Sequence, residues 1–115
     1  MSIIQRDPDD MVQVLGTDGS VRDDATVPNI SESRLLEMYR AMKRARHFDQ
    51  RAVSLQRQGR MGTYPPMAGQ EGAQVGSAMA LGEEDWIFPS YRERAAIEIR
   101  GWPLKRTLLC WMGHE

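Results

Sequence analysis

The chain has 115 residues, enough for one small domain, and its 41% apolar content is that of a globular protein in water. A formal net charge of -1 gives no reason to expect a nucleic acid or a membrane as partner, and no apolar run approaches the ~20 residues of a membrane span. A single cysteine, Cys110, excludes a disulfide framework within the chain and fits a reducing, cytoplasmic setting.

Residues 1–30 read as an extended acidic segment, with six Asp against Arg6 and Arg22. Met1 to Asp10 is acidic where a signal peptide is basic, and no apolar core follows it. Met11-Val12-Gln13-Val14-Leu15 suits a short strand. Thr17-Asp18-Gly19-Ser20 is a turn signal, because Asp-Gly reaches positive φ at little cost, and Val21 opens a return strand. Ser31 is a good N-cap, with Glu32 in the positive first turn of a helix from about Ser31 to Gln58. Leu35, Met38, Met42, Ala45, Phe48, Ala52 and Leu55 recur at spacings of three and four, one apolar stripe along that helix. Arg40, Lys43, Arg44 and Arg51 mostly fall off the stripe. Residues 31–60 carry eight Lys/Arg against Glu32, Glu37 and Asp49, read first as a solvated face and second as a phosphate- or subunit-facing surface. Gly59 ends the helix, with Arg57 in its last turn.

Residues 59–69, with three Gly and two Pro, form a loop. A second helix runs from about Gln70 to Ala80. Gly72, Gly76 and Ala80 recur every four positions, with Ala73 and Ser77 beside them. Each Gly costs ~1 kcal/mol of helix propensity relative to Ala, so tight packing on another helix or a partner subunit is expected to compensate. This face and the apolar Leu108 to Met112 are expected to stay partly exposed in the chain alone. Gly82-Glu83-Glu84-Asp85 is an exposed turn. Trp86-Ile87-Phe88-Pro89 reads as a buried apolar run, a short strand ended by proline. A third helix is expected from about Arg92 to Arg100, stopping at Gly101. Pro103 suits the first turn of a last helix, Leu104 to Trp111, in which Cys110 is expected to be inert core. The sum is a mainly helical chain with few short strands.

Tyr91 and Arg92 are the strongest candidates for chemistry. A guanidinium offers bidentate recognition of phosphate or carboxylate, and the neighbouring hydroxyl adds a second donor. The competing reading is a surface Arg beside a half-buried Tyr. Arg94, outside this pair, is expected to serve as a control position. Glu71, at a helix start, reads as a dipole partner ahead of a functional carboxylate. His47 is expected on a helix flank, His114 lies near the end, and neither has metal-ligand spacing around it. There is no P-loop, dinucleotide-binding glycine fingerprint or nucleophile elbow, and no catalytic residue is identified.

Further reading rests on resemblance. The Gln56-Arg57-Gln58-Gly59-Arg60 helix end, Ala68-Gly69-Gln70-Glu71-Gly72, and Asp85-Trp86-Ile87-Phe88-Pro89-Ser90-Tyr91-Arg92 come in family order, and the spacing from Gln70 to Tyr91 agrees. From about Met11 to Glu115 the chain resembles the alpha subunit of the thiamine-diphosphate-dependent 2-oxo acid dehydrogenases, of which pyruvate dehydrogenase is the leading candidate. The resemblance implies an α/β thiamine-diphosphate-binding fold in the full subunit, with residues 31–115 the N-terminal part of that domain. It assigns Tyr91 and Arg92 to the cofactor diphosphate and places Tyr64 in the loop that approaches the active site. It implies thiamine diphosphate and Mg²⁺ as cofactors, and a 2-oxo acid whose acyl group passes to lipoyl after loss of CO₂. The implied partners are a beta subunit in an alpha2beta2 assembly and the lipoyl acyltransferase core.

Two departures qualify the match. Pro65 stands where animal pyruvate dehydrogenases carry a functional histidine, as in bacterial-type members. The family's Gly-Asp-Gly…Asn segment, which holds Mg²⁺, is absent and is expected beyond Glu115, so the chain is read as an N-terminal fragment, inactive alone. Branched-chain 2-oxo acid and acetoin dehydrogenases are alternatives, as is a non-catalytic helical interaction module derived from the fold. A nucleic-acid binder using Arg40 to Arg60 is disfavoured by the balanced charge and the lack of interleaved aromatics.

Overall fold

Residues 12–114 are described by a computed structural model, and over them four helices form: α1 Glu32–Arg57, α2 Glu71–Ala80, α3 Arg94–Ile99 and α4 Leu104–Trp111. No strand occurs among the described residues. Inter-residue contacts divide the chain after Ser31. In the first unit the expected hairpin shrinks to one antiparallel bridge, Leu15 to Val21. The Arg22 N–H reaches the Val14 carbonyl at 3.0 Å, and Asp18 Oδ1 accepts from the Ser20 N–H at 3.0 Å. Met11, the first residue of the expected strand, lies outside the described residues, as do residues 1–10.

In the second unit α1 runs nearly as the apolar stripe predicts. Its end is a Schellman turn: the Arg60 N–H reaches the Leu55 carbonyl at 3.0 Å and the Gly59 N–H reaches Gln56 at 2.9 Å. Gly59 sits at φ 69°, a left-handed conformation that a Cβ opposes, which is why the helix ends there. The stripe is buried only part way. Leu35 is 51% exposed, while Ala45, Asp49 and Ala52 are buried.

Two apolar clusters hold the unit. In one, Ala45, Met67, Val75 and Ala95 bring α1, the 58–70 loop, α2 and α3 together, with Met38, Met42, Met79 and Ile99 packed around them. In the other, Ala52, Met61 and Tyr64 join α1 and the loop to Leu108 and Trp111 of α4. The Gly62 N–H reaches the Trp111 carbonyl at 3.2 Å, and the Tyr64 and Trp111 rings meet edge-on at 6.1 Å. The Gly/Pro loop is thus a pinned part of the core.

Three expectations need correction. Trp86–Pro89 is neither strand nor buried. Trp86 and Phe88 are 82% and 87% exposed, stacked on each other at 6.2 Å, because no strand among the described residues pairs with the segment. Cys110 is exposed on α4, whose inward positions are Thr107, Leu108 and Trp111. Of the two packings expected for the α2 glycines, close approach of another helix of this chain does not occur, since a Cβ at Gly72 meets Met42 Sδ at 3.8 Å and one at Gly76 meets Met38 Cε at 4.0 Å, ordinary contacts. Gly72, Ala73, Ser77 and Ala80 are exposed, the partly open small face expected of the chain alone.

Candidate functional site

The turn that delivers Tyr91 and Arg92 is built around the Glu93 carboxylate. Its Oε2 accepts from the Ser90 N–H at 2.9 Å and the Arg92 N–H at 3.2 Å. Backbone N–H groups, its own first and then those of Ser90 and Arg92, hold the Glu93 carboxyl below the usual range. This wrap delays the start of α3 from the expected Arg92 to Arg94. Tyr91 is 60% exposed. The Arg92 guanidinium lies over its ring, 5.3 Å from the centroid. Arg92 Nε and Arg94 Nε are both enclosed and without a hydrogen-bond partner among the described residues, but the Arg92 side chain is only half-buried whereas Arg94 is buried.

Arg94, two residues on, does the opposite. It is buried, with Nη2 3.2 Å from Asp49 Oδ1 and its guanidinium over the rings of Tyr64 at 4.5 Å and Phe48 at 5.0 Å. Burial pulls its pKa down from the ordinary guanidinium value, and Asp49 opposes that pull. Arg94 therefore cannot be the neutral control that its sequence position suggests.

Asp49 is the hub beneath the corner. Its Oδ1 also accepts from the Tyr64 hydroxyl at 2.9 Å and the Met67 N–H at 2.8 Å. One oxygen thus ties α1, the loop and α3 together. Tyr64 is 3% exposed, and its hydroxyl is committed to Asp49. Burial raises its pKa, keeping it a protonated donor.

Glu71 ties the start of α2 to α1. It pairs with Arg46 in two hydrogen bonds, one of 2.9 Å at Arg46 Nη2, and accepts from the Gly69 N–H at 2.9 Å. Arg46 chiefly lowers the Glu71 pKa from 4.5 to about 2. Its carboxylate is engaged structurally, as the dipole-partner reading favours. His47 and His114 are exposed, and among the described residues no three His, Cys, Asp or Glu side chains group as metal ligands.

A cleft of about 320 Å³ opens beside the corner, lined mainly by apolar atoms of Pro89, Tyr91, Ile97, Trp102 and Trp111, with Arg94 at its wall. The corner thus offers a half-buried guanidinium stacked on an exposed tyrosine, and Tyr91, though not Arg92, also lines the apolar cleft, a combination suited to an anionic group carried on a larger organic molecule.

Sequence reasoning named Tyr91 and Arg92 but not Gln74, which holds the Arg92 carbonyl, nor the buried Asp49–Arg94 pair next to them. Asp49 had a signal: it falls four residues after Ala45 and three before Ala52, a carboxylate on the apolar face. A charge placed so is buried and must find a partner.

A model of the family described as "Dehydrogenase E1 component" matches residues 39–115. The pyruvate dehydrogenase E1 component subunit alpha of Staphylococcus epidermidis is 44% identical over 105 residues, covering 91% of this chain and 28% of that protein. The subunit of the same name from Staphylococcus aureus is 43% identical over 105 residues, with the same 91% and 28% coverage. The chain therefore spans 28% of the length of these curated relatives.

Proposed function

Because this chain belongs to the dehydrogenase E1 component family, we propose that it forms part of the alpha subunit of a thiamine-diphosphate-dependent 2-oxo acid dehydrogenase of the pyruvate dehydrogenase type. Residues 31–115 are then the N-terminal part of an α/β thiamine-diphosphate-binding domain, and residues 1–30 an acidic extension. The names of its relatives support the pyruvate assignment over branched-chain 2-oxo acids or acetoin.

In this reading Tyr91 and Arg92 hold the diphosphate. The observation that carries it is the half-buried Arg92 side chain, with no ion-pair partner among the described residues, stacked on the exposed Tyr91, where the neighbouring Arg94 is buried and paired with Asp49. A phosphate matches the guanidinium charge and its fork of donors. Thiamine diphosphate, when bound, supplies the nucleophilic carbon and electron sink for decarboxylating a 2-oxo acid. This chain's residues bind and orient: Arg92 neutralises anionic charge, and Tyr91 donates a hydrogen bond and covers the guanidinium. Tyr64, assigned by resemblance to the same region, contributes through Asp49 rather than through a free hydroxyl. Mg²⁺ accompanies the diphosphate, and no residue of this chain is assigned to it. A beta subunit completes the assembly, and the acyl product passes to a lipoyl acyltransferase in the cytoplasm.

The test is cofactor titration at fixed Mg²⁺ into the complete enzyme, alpha with beta. Arg92→Ala is expected to weaken thiamine diphosphate about tenfold to over a hundredfold. Unchanged affinity sinks the diphosphate assignment.

A further inference from the structure

The first turn of a helix leaves backbone N–H groups without partners inside the helix, and a side chain normally caps them. Glu93, at the N-cap of α3, makes no such cap; its carboxylate faces back to Ser90 and Arg92. The Ala95 N–H is met instead from another element. Gln74 of α2, 7% exposed, accepts it on Oε1 at 3.0 Å. The same carboxamide donates from Nε2 to the Arg92 carbonyl at 3.1 Å and to Gln70 Oε1 at 3.2 Å. One planar amide therefore grips the backbone at residues 92 and 95, on both sides of the Glu93–Arg94 step.

From this geometry we infer that Gln74 is a positioning residue for Arg92: its carboxamide fixes where the Arg92 side chain leaves the backbone and so where its cationic group is offered to a diphosphate. The inference rests on the diphosphate reading above. Residues on both sides of the pair are already anchored, Arg94 by Asp49 and the Ser90 N–H by Glu93. The Arg92 side chain has no such anchor: its Nε is unpaired, and its backbone is held instead, the carbonyl accepting from Gln74 Nε2 and from the Arg94 N–H at 2.8 Å. A carboxamide is the group this task needs. It donates to a carbonyl and accepts from an N–H at once, whereas a carboxylate only accepts and a hydrocarbon does neither.

A purely structural Gln74 lowers stability whatever Arg92 does, so a double-mutant cycle separates the two roles. In the complete enzyme, Gln74→Leu, Arg92→Ala and the double variant are titrated with thiamine diphosphate at fixed Mg²⁺, and their thermal midpoints are measured. Gln74→Leu alone is expected to weaken the cofactor about tenfold, as small displacements of a positioned group do. In the Arg92→Ala background it should change affinity by no more than about twofold, while its loss of thermal midpoint persists in both. Gln74→Glu keeps the acceptor for Ala95 but sets an oxygen against the Arg92 carbonyl. It is expected to show the same non-additivity and carries the cycle if the leucine variant does not assemble. Equal losses of affinity in both backgrounds, or no loss with Arg92 intact, overturn the positioning role and leave the diphosphate reading standing. If Arg92→Ala itself binds the cofactor normally, the diphosphate reading fails and this inference fails with it.

Discussion

Asp49 Oδ1 accepts from an arginine, a tyrosine and a backbone N–H, all in a buried setting. Asp49→Ala strands the Arg94 guanidinium without its counter-charge. Breaking a buried pair from one side costs about 3–5 kcal/mol, and a denaturant midpoint of the variant measures it. Tyr64→Phe removes one hydrogen bond, keeps the ring against Trp111, and should cost only about 1 kcal/mol. Reversal of that order would show that Asp49 is not the hub. At the corner itself, Arg92→Lys should restore part of the cofactor affinity lost in Arg92→Ala, because Lys keeps the charge without the planar fork. Tyr91→Phe should lose less than Arg92→Ala, since it deletes a hydroxyl and keeps the ring under the guanidinium. Arg51, exposed on α1, replaces Arg94 as the control.

The Arg46–Glu71 pair joins two helices and makes their association pH-dependent. The Glu71 pKa is lowered from 4.5 to about 2, so the folded state prefers the carboxylate. Its contribution is complete above about pH 4.5 and is lost as the pH falls toward about 2. In Glu71→Gln, stability measured by urea midpoint should be lower at neutral pH and fall less steeply across that acid window. A parallel pair of curves would mean that Arg46 does not set the titration. At the end of α1, Gly59→Ala places a Cβ in left-handed backbone. Nothing lies within 4 Å of that Cβ, so strain alone should cost about 1–2 kcal/mol in the same measurement.

Across the whole molecule, the loops are held from the side by helix residues. Arg100 of the α3 C-terminus donates to the carbonyls of Gly82, Glu83 and Asp85, each at 2.8 Å, and fixes the turn that precedes Trp86. The chain beyond that turn carries Trp86 and Phe88 on the surface, with Tyr91 close behind. Such a cluster attracts other apolar surfaces. The 115-residue chain should bind an environment-sensitive apolar dye, and Trp86→Ser with Phe88→Ser should remove much of the signal. A dye response unchanged by the pair of substitutions would place the exposed apolar surface elsewhere.

Periodicity in the sequence determined the helices, because a stripe at spacings of three and four and a left-handed glycine are local properties of the chain. The turn that carries Tyr91 and Arg92 was legible for a related reason: a turn and its neighbouring side chains lie within a few residues. What the tertiary structure decided is which polar groups meet. Asp49 and Arg94 are 45 positions apart, Gln74 and Ala95 are 21 apart, and nothing local couples them. Burial decided the rest. Trp86 and Phe88 look like core by composition and lie outside because no strand or apolar surface among the described residues covers them. Arg94 looks like surface and lies inside because Asp49, itself on the apolar face of α1, neutralises it where water is excluded.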